Sequence, residues 1–248
     1  MLFCLLALGI VAVSRSFNVF SREVGPREKG TDWNPTKVYL LPFLVAIAAS
    51  MITGLFSVNG FDAAYPARII TAGLVLIIYR GFLLRNNPLS FSCFSWEVVL
   101  AGVAVAVLWI AIDHLFTSGS IQQMPPELSA MSLFNRILWI IFKVFGSCLI
   151  IPIIEELAFR GFLLRRLIQA DFTEVSYRKF TWLSFFLSSV AFGLMHGDRW
   201  IAGILSGMVY CLVMYRKGRL IDAIAAHAVS NIVIAMYVLF LGKWEFWY

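Results

Sequence analysis

Apolar residues gather into eight runs along the chain, at about 2–14, 38–58, 66–84, 97–116, 133–154, 181–196, 200–215 and 219–241. A membrane-crossing helix needs roughly 20 apolar residues, so several runs are comfortable and three are short. Polar residues and turn formers fill the intervals. Ser21, Gly25, Pro26, Gly30 and Pro35, with mixed charge between them, mark an exposed linker within 15–37. The first run is short, with no basic residue before it and no clear small-residue cleavage site after it, so it reads as a span rather than a signal peptide. The pattern predicts an all-α polytopic membrane bundle of about eight transmembrane helices.

Composition supports that class. Of 248 residues, 60% are hydrophobic and only 14% charged, with a mean hydropathy of +0.84. A soluble domain carries roughly 25% charged residues, so a soluble protein is excluded. The four cysteines (Cys4, Cys93, Cys148, Cys211) stand singly in apolar segments, as buried thiols rather than a disulfide framework or zinc spacing.

Basic residues alternate from loop to loop. Those at 15–37, 80–96, 155–180 and 216–219 hold fifteen Lys and Arg, whereas 59–68, 117–136, 197–200 and the tail after 241 hold four. The asymmetry predicts that the basic loops, including the 15–37 linker, are cytoplasmic, with both termini outside. Trp33, Trp96, Trp182, Trp200, Trp244 and Trp247 flank the runs as an interfacial belt would. The net charge of +6 follows from these loops and does not imply nucleic acid.

Polar residues inside the runs divide the chain at about 130. Before it they lie in connections, apart from Asp113-His114 near a span end. After it the spans carry Lys143, Glu155, Glu156, Arg160, His196, Asp222, His227 and Asn231. The expected organisation is an N-terminal set of about four helices (1–130) followed by a catalytic membrane core (131–248). Ionisable residues in lipid cost several kcal/mol and are functional candidates by default.

Three constellations stand out. Glu156 and Arg160 are i and i+4, the favourable order for an ion pair, while Glu155 is turned about 100° away. One carboxylate would be held and its neighbour left to project into a cavity as a general base. His196 closes the apolar stretch Phe192-Gly193-Leu194-Met195-His196-Gly197, and the pairs Gly193/Gly197 and Gly203/Gly207 let neighbouring helices approach closely. His227 and Asn231 share a helix face, and both can donate hydrogen bonds to a developing oxyanion. If 155–170 and 180–196 form a helical hairpin, Glu155 and His196 lie at the same level, each about 24 Å from the turn. Lys143 would need a carboxylate or backbone carbonyls as partners, and Asp222 would be interfacial; neither is assigned to the site.

The motifs Glu-Glu-x-x-x-Arg at 155–160, Phe-x-x-x-His at 192–196 and His-x-x-x-Asn at 227–231 resemble, in order and spacing, those of the CPBP intramembrane peptidases, which include the type II CAAX prenyl endopeptidases or Abi family. The stretch His196-Gly197-Asp198-Arg199-Trp200-Ile201-Ala202-Gly203 resembles the exosortase-associated branch of bacteria. The resemblance covers about residues 130–241. It implies a metal-independent glutamic peptidase without cofactor, in which Glu155 and His196 activate water. His227 and Asn231 would stabilise the oxyanion, with Glu156, Arg160 and Phe192 supporting. The implied substrate is a membrane-embedded or lipidated protein cut near its C-terminus. Three other readings compete: a zinc peptidase using Glu, His and His, a b-type cytochrome with His196 and His227 as axial ligands, and a non-catalytic scaffold or immunity-type protein.

Overall fold

A computed structural model describes residues 33–86, 95–116 and 124–247. Its main helices are α1 (Pro35–Gly54), α2 (Tyr65–Arg85), α3 (Trp96–Phe116), α4 (Leu133–Arg166), α5 (Trp182–Leu194), α6 (Trp200–Lys217) and α7 (Leu220–Leu241). No strand occurs among the described residues, only an isolated bridge between Val58 and Phe61. The chain is thus an all-α membrane bundle. Helices α1 to α4 and α7 are long and apolar enough to cross a membrane, and α5 is a shorter apolar helix. These helices coincide with seven of the eight apolar runs. The first run, most of the 15–37 linker, Cys4 and Cys93 lie outside the described residues.

The bundle reverses the polarity of a soluble protein. Ile70, Leu74, Ile77 and Ile78 of α2 face outward, while Glu156, Arg160, Ser188, Ser206 and His227 are buried. Backbone and side-chain polar groups must be satisfied internally in hydrocarbon, so the helices bring their polar residues to one another. Helix α3 packs on α6 and α7, α5 on α6, and α1 on α2.

Helix α4 departs from expectation. The sequence ends this run at 154 and begins a basic loop at 155, yet the helix continues to Arg166. Arg160 therefore belongs to the bundle interior rather than to a loop. Pro152 does not break the helix. It has no N–H to give to Cys148, and the ladder shifts to π geometry at Gly146–Ile150, with the Ile151 N–H reaching Gly146 O. A second π turn spans Leu157–Leu163, so an α segment holding both glutamates (Ile151–Glu156) is bracketed by two widened turns. Glu155 lies 11 residues, roughly 16 Å, inside the Arg166 end.

Helix α5 starts at a Thr181 cap, whose side chain accepts from Ser184 N, and runs 13 residues. That is about 20 Å, some two-thirds of a bilayer's hydrocarbon thickness, before the chain turns back at His196. The Trp belt also needs correction. Trp33, Trp96, Trp182 and Trp200 are exposed, but Trp244 and Trp247 are buried, because the short 3-10 strap Trp244–Trp247 folds back onto the helices.

The α5–α6 contact depends on glycine. A Cβ on Gly193 would stand 2.6 Å from both Ile204 N and Trp200 O, and one on Gly203 would stand 2.8 Å from Gly193 Cα. Gly207 similarly lies against Ser189. Gly197 differs from the expected packing role: nothing approaches it, and its φ of +58° turns the chain after His196. Gly193→Ala is expected to cost about 1–3 kcal/mol through overpacking against backbone. Thermal unfolding in detergent should fall by several degrees, while Gly54→Ala, with open space around it, should leave the midpoint unchanged.

Candidate active site

A cavity of about 310 Å³ lies between α3, α4, α6 and α7 and the His196 turn. On α4 it is walled by Lys143, Ser147, Ile151 and Glu155, spaced four apart. In a regular α-helix such a stripe drifts by about 40° per step. The π turn at 146–150 absorbs part of that drift, so residues spread over three turns face one space. Phe192 and His196 enter from α5 and its end, Ser206 and Tyr210 from α6, and His227, Ser230 and Asn231 from α7. Val105 and Trp109 of α3 and Phe246 and Trp247 of the strap complete the walls.

The structure thus brings Glu155, Phe192, His196, His227 and Asn231 to one cavity. Glu156 and Arg160 stand behind its wall, both 0% exposed. Arg160 Nη1 donates to Glu156 Oε1 at 3.0 Å, the i,i+4 pair anticipated from sequence. The same oxygen accepts from His227 Nδ1 at 3.0 Å, a bond between α4 and α7 that spacing could not reveal. Arg160 Nη2 donates to Gly207 O at 2.9 Å, which adds α6. Its guanidinium also lies 4.2 Å from the Phe192 ring centroid and 5.6 Å from that of Tyr210.

These bonds define the imidazoles. His196 Nδ1 is 2.9 Å from Phe192 O; a carbonyl only accepts, so Nδ1 carries hydrogen and Nε2 of the neutral ring is an acceptor. His227 gives its Nδ1 hydrogen to Glu156 and turns Nε2 toward Glu155 Oε2 at 3.8 Å. Tyr210 stacks on that ring at 4.7 Å and is held by Ser230 Oγ at 2.6 Å. Trp109 packs edge-on to His196 at 5.1 Å. Glu155 Oε2 is buried with no hydrogen-bond partner among the described residues.

His227 and Asn231 do not act as the simple side-by-side pair expected from i,i+4 spacing. His227 is committed to Glu156, and Asn231 Nδ2 donates to Ser147 O at 2.7 Å, a carbonyl in the first π turn. One Asn231 amide hydrogen remains for the cavity. Sequence reasoning also passed over Trp109, Ser147 and Tyr210, which offer no polar anomaly in an aromatic-rich membrane chain. Lys143 was set aside, yet it lines the cavity and donates to Trp247 O at 3.1 Å. Asp222 remains apart, paired to Arg219 at 2.6 Å. Among the described residues no three His, Cys, Asp or Glu side chains converge as a metal-ligand set.

Residues 137–233 match the family model described as type II CAAX prenyl endopeptidase Rce1-like. That span contains all three motifs and the glutamate, histidine and asparagine side chains assembled above. No curated protein and no solved structure matches the chain.

Removing one partner from the buried pair strands the other charge and typically costs about 3–5 kcal/mol. Arg160→Met should therefore unfold at much lower temperature than wild type, or fail to accumulate, in a detergent melt. Glu155→Gln, which leaves the Glu156–Arg160–His227 bonds intact, should melt close to wild type. Equal destabilisation by the two would sink the distinction between held and projecting glutamates.

Proposed function

Because the Rce1-like segment makes this chain a member of the CPBP family of CAAX-type intramembrane proteases, we propose that Glu155 and His196 activate water to hydrolyse a peptide bond near the C-terminus of a membrane-embedded or lipidated protein. The observation that carries the proposal is the buried Oε2 of Glu155, which has no hydrogen-bond partner among the described residues and faces His227 Nε2 at 3.8 Å in the cavity it shares with His196, His227 and Asn231. A carboxylate oxygen left without a hydrogen bond there is available to a water or substrate rather than committed to packing.

In this mechanism a water held by Glu155 and the His196 Nε2 acceptor loses a proton to them as its oxygen bonds to the substrate carbonyl carbon. The carbonyl π pair moves to oxygen. The remaining Asn231 amide hydrogen stabilises that oxyanion, together with the Nε2–H of His227 acting as the imidazolium whose Nδ1–H is held by Glu156. Collapse breaks the C–N bond, and the proton taken from water passes to the leaving amine. Glu156 and Arg160 do not touch the reacting atoms; they fix the tautomer and rotation of His227. Within the family, the stretch 196–203 favours the exosortase-associated branch, and the alternation of basic loops favours an inner-membrane protein with those loops cytoplasmic.

General acid–base groups contribute about 10²–10⁴-fold in rate. Membranes of cells expressing wild type should contain neo-C-termini that fall at least a hundredfold with Glu155→Gln at matched expression, as read by a C-terminal peptide survey. Cleavage by purified protein should persist in excess chelator. Identical termini in the two strains would favour the scaffold reading, and chelator-sensitive activity restored by zinc would favour the zinc peptidase.

A further inference from the structure

We propose that Lys143 is a carboxylate-binding subsite that anchors the free C-terminus of the peptide substrate. The inference deepens the peptidase reading of the same cavity and rests on it.

Lys143 shares the cavity wall with Glu155. Its Nζ donates to Trp247 O at 3.1 Å and lies 4.4 Å from the Tyr65 ring centroid and 5.8 Å from that of Trp139. Among the described residues no carboxylate pairs with it. Asp62, in the α1–α2 connection, is already taken by Arg68 at 2.6 Å and Thr53 at 2.8 Å. A lysine inside a bundle is costly without a counter-charge, and two aromatic faces supply only part of one. An ammonium has three donors, and Trp247 uses one. Two remain for a ligand of opposite charge.

The group Lys143 already holds indicates the ligand's chemistry. It is a peptide carbonyl oxygen of the strap, and Phe246 and Trp247 line the cavity beside it. The strap is fastened independently, since Arg199 Nη2 donates to Glu245 O at 2.9 Å. A peptide end therefore fits against this ammonium, and a terminal carboxylate would add the missing charge.

Position along α4 gives the subsite a measuring role. Twelve residues separate Lys143 from Glu155, about 18 Å of helix. Ser147 and Ile151 continue the same wall between them. An extended chain rises about 3.3 Å per residue. A peptide whose carboxylate rests on Lys143 thus needs at least about five residues, fully extended, to bring a bond to Glu155. The same peptide ending in an amide has no such anchor.

The test uses the full chain in lipid nanodiscs, carrying Glu155→Gln to prevent turnover. Its probes are two N-acylated apolar pentapeptides of one sequence, ending in a free carboxylate or a carboxamide. The acid should bind roughly tenfold tighter than the amide, the size of one charge-assisted hydrogen-bonded contact. Lys143→Met should erase that preference while keeping the amide affinity, and Lys143→Arg should retain it. Equal binding of acid and amide, binding of neither, or a preference that survives Lys143→Met would overturn the subsite. The outcome is separable from the peptidase reading: selective binding with no neo-C-termini in cells would reject catalysis alone, and cleavage without acid selectivity would reject the anchor alone.

Discussion

One carboxylate oxygen organises this bundle. Glu156 Oε1 takes hydrogen bonds from Arg160 on its own helix and from His227 on α7, while Arg160 reaches the Gly207 carbonyl on α6. Three helices thus meet at one buried charge pair. Such a pair gains little net stability over apolar packing, because desolvation offsets attraction. Its value is directional: few other arrangements of α4, α6 and α7 satisfy all of these groups at once. Gly207 belongs to the same constraint, since a Cβ there would stand 3.1 Å from Arg160 Nη2.

Adjacent glutamates acquire opposite fates from that arrangement. A turn of about 100° separates their directions on the helix. Glu156 points into the protein and is bonded to a guanidinium and an imidazole; Glu155 points into the cavity, with Oε2 unbonded among the described residues. Phe192 stands between the two halves of the site, under the Arg160 guanidinium on one side and 4.8 Å from the His196 ring on the other. Tyr210 does the same for His227. This aromatic shell walls the ion pair off from the cavity, which keeps the Glu156–Arg160 attraction strong.

The backbone cooperates through its irregularities. A regular helix would rotate the wall formed by Lys143, Ser147, Ile151 and Glu155 progressively out of register. The π turn before Pro152 moderates that rotation and presents Ser147 O to Asn231. The short α5 and the left-handed Gly197 then turn the chain back so that His196 ends beside the cavity. π turns recur where a helix must serve a site as well as a core.

Much of this was legible in the chain itself. Apolar run lengths determined the all-α membrane class, i,i+4 spacing determined the Glu156–Arg160 pair, and the rarity of polar and ionisable residues in lipid singled out Glu155, His196, His227 and Asn231. These are local or compositional properties, and helix geometry fixes them without knowledge of neighbours. The continuity of α4 was hidden because Pro152 and the cluster Arg160, Arg165 and Arg166 mimic a helix end and a loop; only burial of Arg160 against α6 makes its charge tolerable inside the bundle. The Glu156–His227 bond, the turn of Trp244 and Trp247 inward and the entry of Lys143 and Trp109 into the cavity depend on contacts between residues far apart in sequence. Periodicity says which face of a helix is polar, but not which other helix will meet it. Packing alone decides that, because each buried polar group must find its partner on whichever helix the fold brings within hydrogen-bond reach.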